Sequence, residues 1–294
     1  MGRGIIIKGI GSFYYVLNGK DELVTCRMRG IFRQKNITPT VGDYVEYQII
    51  ENSDACITNI LERKNLLHRP AVANSEQGII VCTIKNPDIS YVLTDKMIIS
   101  NMQAGLKTIL VCNKVDLVTQ DEREEFCSIY KNSGVDIIFT STYNDEGLEE
   151  LYRKLECKIS VFSGVSGAGK SSLLNKFSKD LNMQTGDISK KLGRGKHTTR
   201  HSELIIVDKD TFICDTPGFS SFALKDVSPE ELCDYYSDFY EFSPCKFNTC
   251  IHINEPNCKV KEALENGFIN KIRYENYIYI YNEIVKNNKK SAKR

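Results

Sequence analysis

The rhythm of apolar positions changes three times along the chain. Over 1–68 they come in short bursts, at 4–7, 13–17, 23–26, 44–47 and 55–57, with turn residues between them. Each burst has strand length, and Asn18-Gly19 is a hairpin dipeptide. About five short strands in such a span predict a small β-barrel of the OB-fold kind. Residues 63–74 are polar, contain Pro70 and keep no period, so they read as a linker. Beyond them, buried-strand runs at 78–82, 108–112, 135–139 and 159–162 alternate with helical spacing at 89–104, 121–130, 148–155 and after 171. A hairpin is expected at 204–207 and 211–214. This alternation predicts a parallel sheet with helices on both faces. Past 222 the pattern loosens. A helix over 260–285 then carries Leu264, Phe268, Ile272, Tyr277, Ile278, Tyr281 and Val285 as a stripe expected to pack onto its own module. The basic stretch 286–294 reads as a disordered, solvated tail. The expectation is a multidomain chain: a β-barrel over 1–68, an α/β domain over 69–222 and an α-rich unit over 223–294.

Composition adds limits. A net charge of +1 gives no global field for nucleic acid, so a basic footprint has to be local. Arg27, Arg29, Arg33 and Lys35 are either an RNA-facing edge of the barrel or solvated loop charges. No apolar run approaches eighteen residues, so no membrane span is expected. The eleven cysteines are odd in number, come after no secretory h-region and sit partly inside apolar strands. They predict a reducing, cytoplasmic setting with most thiols free.

Between the strand at 159–162 and the helix after it runs Gly164-Val165-Ser166-Gly167-Ala168-Gly169-Lys170-Ser171, with Ser172 next. Strand, glycine loop and helix wrap backbone N–H groups and a helix dipole around phosphates. Lys170 would reach the β- and γ-phosphates and the Ser171 hydroxyl would ligate Mg²⁺. After the 108–112 strand comes Asn113-Lys114-Val115-Asp116. A carboxylate at Asp116 accepts from guanine N1–H and the 2-amino group together, a donor pair that adenine lacks. Asn113 would brace neighbouring loops, the Lys114 stem would cover the base, and the Ser141 backbone would contact it from the other side. Asp215-Thr216-Pro217-Gly218 closes the hairpin; Asp215 would hold the Mg²⁺ shell and the Gly218 N–H would sense the γ-phosphate. The bound nucleotides implied are GTP and GDP.

The order is permuted. Ordinary small GTPases run P-loop first and the guanine motifs last; here the guanine motifs come first. The chain after Asp215-Thr216-Pro217-Gly218 is therefore a different module. In it, Cys245, Cys250, His252 and Cys258 lie within fourteen residues. Three thiols and an imidazole suffice for a closed tetrahedral site, and soft thiolates favour one structural Zn²⁺.

These motifs together resemble the ribosome small subunit-dependent GTPase A family, circularly permuted bacterial GTPases. The resemblance spans essentially the whole chain, including Arg69-Pro70…Ala73-Asn74, Gly195-Lys196-His197-Thr198-Thr199-Arg200 and Asp215 to Phe219. It implies an N-terminal OB-fold, a permuted G domain, a C-terminal zinc domain, and GTP hydrolysis in late maturation of the small ribosomal subunit, with rRNA binding and stimulation by that subunit. Phe219 stands where many GTPases place a water-orienting Gln, and a phenyl ring accepts no bond from water. His197 is the internal candidate for that role, and the resemblance also points to it as catalytic. Thr199 is the expected second hydroxyl on Mg²⁺. Two other readings stay open: a slow GTP-dependent RNA-binding switch, and a metal-trafficking GTPase. Nothing in the sequence calls for an oligomer.

Overall fold

This computed structural model describes residues 1–28, 37–50, 54–68, 70–184, 203–216, 224, 227–247 and 249–291. Five strands close the N-terminal barrel: β1 (Gly2–Ile10), β2 (Phe13–Asn18), β3 (Leu23–Met28), β4 (Tyr44–Gln48) and β5 (Ala55–Ile60), in the order β1-β2-β3-β5-β4. Closure removes the unpaired edges that so short a sheet would otherwise expose. At the β2–β3 turn the left-handed residue is Asp21, φ 58°, rather than Gly19, because the Asn18 carboxamide accepts from the Lys20 and Glu22 N–H groups.

The expected linker is instead ordered. It forms a hairpin of β6 (Leu66–His68) and β7 (Ala71–Ala73), with Val72 and Ala73 fully buried. Its polar residues serve the backbone, not solvent: Asn74 donates to the Gly42 carbonyl at 2.9 Å and accepts from the Lys64 N–H at 2.8 Å. Gly42 is required there. Its φ is +90°, and a Cβ would lie 2.2 Å from the Ala73 carbonyl oxygen.

The α/β region runs β8 (Gln77–Cys82), α1 (Tyr91–Gln103), β9 (Lys107–Cys112), α2 (Gln120–Tyr130), β10 (Asp136–Phe139), α3 (Leu148–Leu155), β11 (Ile159–Gly164), α4 (Lys170–Gln184), β12 (Leu204–Asp208) and β13 (Thr211–Asp215). Sheet order is β10-β9-β8-β11-β13-β12, with β12 antiparallel and every other neighbour parallel. The Ser90 side chain caps α1, and Thr119 with Glu122 forms a capping box on α2. One face of the sheet carries Ile79, Val81, Ile109, Phe162 and Ile213 against Leu151, Leu155, Leu173 and Phe177 of α3 and α4. On the other face α1 and α2 cover β8 and β9, through Met97, Ile98, Phe126 and Ile129. The remainder of that face departs from the expected helix-covered sheet. Ile159, Val161, Phe212 and Cys214 of β11 and β13 share a core with Ile5, Val16 and Val45 of the barrel. The barrel thus fills the place of a helix layer. A backbone bridge and a 3.0 Å ion pair between Lys8 and Glu203 extend the contact at the edge.

Two 3-10 turns (Leu232–Tyr235 and Ser237–Phe242) lead into α5 (Lys259–Glu265) and α6 (Lys271–Ser291). The single helix expected over 260–285 is broken at Gly267, φ +76°. The break shifts the phase of the apolar stripe. Tyr274, Tyr277, Ile280 and Ile284 are buried, whereas Phe268 is 62% exposed and Ile278 and Tyr281 are partly buried. Helix α6 also continues to Ser291, through much of the stretch expected to be a disordered tail. Nor does it pack only on its own module: it lies on α1 through a buried charge cluster. Arg273 forms ion pairs with Asp95 of α1 and with Asp238, while Asn276 donates to Asp95 at 2.8 Å. The Arg273 guanidinium also lies 4.5 Å from the centre of the Tyr236 ring. No helix among the described residues is long and apolar enough to cross a membrane.

Candidate functional site

The C-terminal ends of the parallel strands form one row. Cys112 registers with Phe139 on one side and Cys82 on the other, Gly164 with Val81, and Asp215 with Phe162. The loops leaving these strands therefore line up as Ser141, Asn113 to Asp116, the 83–88 segment, the P-loop, and Asp215. A ligand crevice belongs at such an edge. Chain order is permuted, yet neighbouring sheet positions restore the grouping.

Within the row, the Asn113 side chain is buried and donates to the Ala168 carbonyl at 2.9 Å, so it joins the Asn113–Asp116 loop to the P-loop. The Thr140 hydroxyl donates to its Oδ1 at 3.2 Å, which fixes the orientation of the carboxamide. Gly169, φ +87°, lets this contact form; a Cβ there would sit 2.2 Å from Asn113 Nδ2. Lys170 begins α4, is buried, and places its ammonium on the Asp215 carboxylate and the Thr216 carbonyl. Thr216 is anchored in turn by donating to the Phe162 carbonyl at 2.8 Å. Ser171 and Ser172 are exposed on the first turn of α4, as are Ser166 and Gly167 in the loop before it.

Asp116 is exposed, and its carboxylate accepts from the buried Ser141 hydroxyl. The Ser141 N–H differs from expectation: it donates to the Glu146 carbonyl at 3.0 Å. Ser141 thus works through its hydroxyl, holding the carboxylate. Lys114 takes a left-handed backbone, φ 60°, and its ammonium donates to the Gly167 carbonyl at 2.8 Å and to the Asn86 carbonyl at 2.5 Å. The 83–88 segment was not foreseen as part of the site. Its Thr83 hydroxyl donates to the Pro87 carbonyl at 2.6 Å, which shapes the loop under Lys114. The only sequence signal was an Asn-Pro pair shortly after a strand.

The second constellation is Cys245, Cys250, His252 and Cys258, whose ligand atoms all lie within 4.8 Å of one another. The sulfurs of Cys245 and Cys250 are each 3.8 Å from that of Cys258, and His252 Nδ1 is 3.4–3.5 Å from all three sulfurs. A tetrahedron with ~2.3 Å sulfur arms and a ~2.0 Å nitrogen arm has edges of about 3.8 and 3.5 Å. The residues present therefore fit a tetrahedral metal, and the spacing is far beyond the ~2.05 Å of a disulfide. Burial holds the His252 imidazole below its usual pKa, keeping it neutral and able to coordinate. The loop carrying it is pinned from α6: the Tyr274 hydroxyl donates to the His252 carbonyl at 2.6 Å, and that of Tyr277 to the Ile251 carbonyl at 2.7 Å.

Several expected site residues, His197, Thr199, Gly218 and Phe219, lie outside the described residues, as do Arg29, Arg33 and Lys35. Arg27 is described; it pairs with Asp54 at 2.9 Å and lies 4.5 Å over the Phe13 ring.

The sequence model of the RsgA GTPase matches residues 60–225, and that of the RsgA N-terminal domain matches residues 3–57. The chain belongs to the RsgA GTPase family. An RsgA named small ribosomal subunit biogenesis GTPase, from a Geobacillus species, is 48% identical over 288 residues, which cover 97% of this chain and 98% of that protein. The RsgA of Caldanaerobacter subterraneus, carrying the same name, is 42% identical over 99% of this chain and 98% of its own. Among solved structures, YjeQ from Thermotoga maritima aligns with a TM-score of 0.82 at 38% identity, covering 97% of this chain and 98% of that one. YloQ, described as a circularly permuted GTPase, aligns at 0.80 and 36% identity, covering 98% and 96%. The RsgA likeness therefore includes barrel, permuted sheet and the module with the cysteine–histidine cluster together. As an RsgA GTPase the chain binds nucleotide with Mg²⁺, and its buried cysteine–histidine cluster is able to hold a metal ion.

Proposed function

We propose that this protein is a GTP hydrolase that acts in late maturation of the small (30S) ribosomal subunit, in the cytoplasm and as a monomer, binding rRNA and stimulated by the subunit. The observation that carries this reading is the bond from Asn113 to the Ala168 carbonyl. It ties a guanine-reading loop to a phosphate loop in a chain whose relatives are named for that role. The units are a barrel over 1–68, a permuted G domain over 69–222 and a zinc domain over 223–294. Backbone N–H groups of Gly164 to Ser172 cradle the phosphates, and Lys170 reaches the β- and γ-phosphate oxygens. Asp116, steadied by Ser141, accepts from the two guanine donors while Lys114 covers the ring. Ser171 and Thr199 would ligate Mg²⁺ and Asp215 would hold its shell, and the ion would supply charge neutralisation to the phosphates. His197 accepts a hydrogen bond from the attacking water, and the Gly218 N–H reports the γ-phosphate. Cys245, Cys250, His252 and Cys258 hold one structural Zn²⁺.

The deciding experiment is GTP hydrolysis with and without purified small subunits, wild type beside His197→Ala. A large stimulation that the variant loses is expected. No stimulation of the wild type would instead favour the slow binding switch, a reading that Phe219 in the place of a water-orienting Gln supports.

A further inference from the structure

The two loops assigned to the base are fastened to each other at a second point, away from the Asp116–Ser141 contact. Arg123, on the first turns of α2, forms a fork. Its Nη1 pairs with the Glu146 carboxylate at 2.5 Å, and its Nη2 donates to the Val115 carbonyl at 2.9 Å. Val115 immediately precedes Asp116. Glu146 belongs to the loop that Ser141 opens, and its carbonyl takes the Ser141 N–H at 3.0 Å. The Val115 N–H completes the junction by donating to the Thr140 carbonyl at 3.2 Å. The guanidinium also lies 5.7 Å from the centre of the Phe139 ring at the end of β10, so its plane has a packing partner. A third restraint acts on the same loop. Gly147, φ +70°, presses so close to the Phe139 carbonyl that no Cβ fits.

We infer that Arg123, with Glu146, is a positioning residue for base recognition: it sets the height and tilt of the Asp116 carboxylate by holding the Val115 peptide against the Ser141 loop. The inference rests on the reading of Asp116 as the guanine acceptor. An exposed carboxylate tied by a single hydroxyl can swing about that bond. Two acceptor–donor alignments to one planar base need both oxygens fixed, and a second tether on the preceding peptide removes the swing. The planar fork matters more than the charge. One guanidinium spans a carbonyl and a carboxylate about one side chain apart, whereas a lysine ammonium presents a single point of attachment.

The test compares GDP with IDP, whose base lacks the 2-amino group and so uses only one of the two Asp116 contacts. With Arg123→Gln, GDP affinity is expected to fall about 10-fold and IDP affinity only about 2- to 3-fold, because misaligning the carboxylate costs most where both oxygens are used. Discrimination between the two therefore shrinks about 3- to 5-fold. Arg123→Lys should restore little of it, and Glu146→Gln combined with Arg123→Gln should lose less than the sum of the two. Equal loss for GDP and IDP, or no loss, overturns the inference and leaves Arg123 a structural residue; the melting temperature of each variant is read alongside. Asp116→Asn serves as the arm for the underlying reading, since its amide can donate to the C2 carbonyl of XDP. If Asp116→Asn turns preference toward XDP while Arg123→Gln leaves discrimination unchanged, the Arg123 inference alone fails. If Asp116→Asn keeps its preference for GDP, the base-reading assignment fails and takes the inference with it.

Discussion

Lys170 and Gly169 are adjacent, yet their replacement should fail in different ways. Lys170→Ala removes the buried ammonium beside Asp215 and is expected to abolish phosphate binding; unchanged GTP affinity in a filter or fluorescence titration would refute its role. Gly169→Ala leaves every charge in place but puts a methyl against Asn113 Nδ2 from a backbone that disfavours side chains. Its expected result is at least ~10-fold weaker GDP binding with an ordinary circular dichroism spectrum. Arg123 brings a pH signature. Hydrogen bonding from its guanidinium lowers the Glu146 pKa, so the pair contributes its full stabilisation at pH values well above the usual glutamate pKa and loses it as pH falls through the lowered pKa. The stability difference between wild type and Arg123→Gln, tracked by urea unfolding, should be constant at neutral pH and shrink in acid. Salt should weaken it throughout, because the pair is near the surface. Asn113, Lys170 and Asp116 were legible because a motif fixes both residue and neighbour over a few positions. Arg123 and the Asn86 carbonyl were not: each meets its partner across loops that no spacing rule connects.

Among the elements, strands and helices with one clean period were read almost to the residue. Helix α3 is the plainest example. Two segments defeated the pattern. The stretch with β6 and β7 looked like a linker because it is polar, contains Pro70 and keeps no period, whereas its asparagines satisfy backbone carbonyls and N–H groups. Helices α5 and α6 were merged because the polar break at Gly267 is short and apolar residues continue on both sides. The metal loop shows how elements depend on one another. Removal of metal by a chelator is expected to loosen 245–258 and the middle of α6 together, since Tyr274 and Tyr277 bond that loop directly. Hydrogen exchange should report protection lost in both segments but kept in β8 and β9; loss confined to 245–258 would contradict the coupling. Tyr277→Phe, which strands the Ile251 carbonyl, should cost about 1–2 kcal/mol.

For the whole molecule, three bodies are held by two unlike seams. The barrel meets the sheet mainly through apolar side chains; the C-terminal module shares an apolar core with Val92 and Ile99 of α1 and adds to it a buried charge cluster. Arg273 is 2% exposed and Asp95 fully buried, so Arg273→Ala would leave Asp95 and Asp238 without their cation. A loss of about 3–5 kcal/mol is expected, read as a clear drop in melting temperature. Burial raises the Asp95 pKa, consistent with a carboxylate that depends on its partner. Neither seam could be read from sequence. Ile159, Val161, Phe212 and Cys214 look like the buried side of any parallel strand, and nothing in them names a barrel as the cover.

The sheet order has a consequence in time. Its central pair, β8 and β11, joins residues around 77 to residues around 160, while β9 and β10 lie between them in sequence. A ribosome adds roughly 5–20 residues per second, so β8 waits on the order of 4–16 s for its inner neighbour. The barrel has all five strands by Ile60 and can close meanwhile. During synthesis the nascent chain therefore passes through a stage with a finished barrel, the segments proposed to read guanine, and no loop to receive phosphate. Nucleotide cannot steady that intermediate as it could in an unpermuted GTPase, whose phosphate loop emerges first. Until β11 arrives, α1 and α2 can cover one face of β8, but its open edge has no strand partner and is left to chaperones.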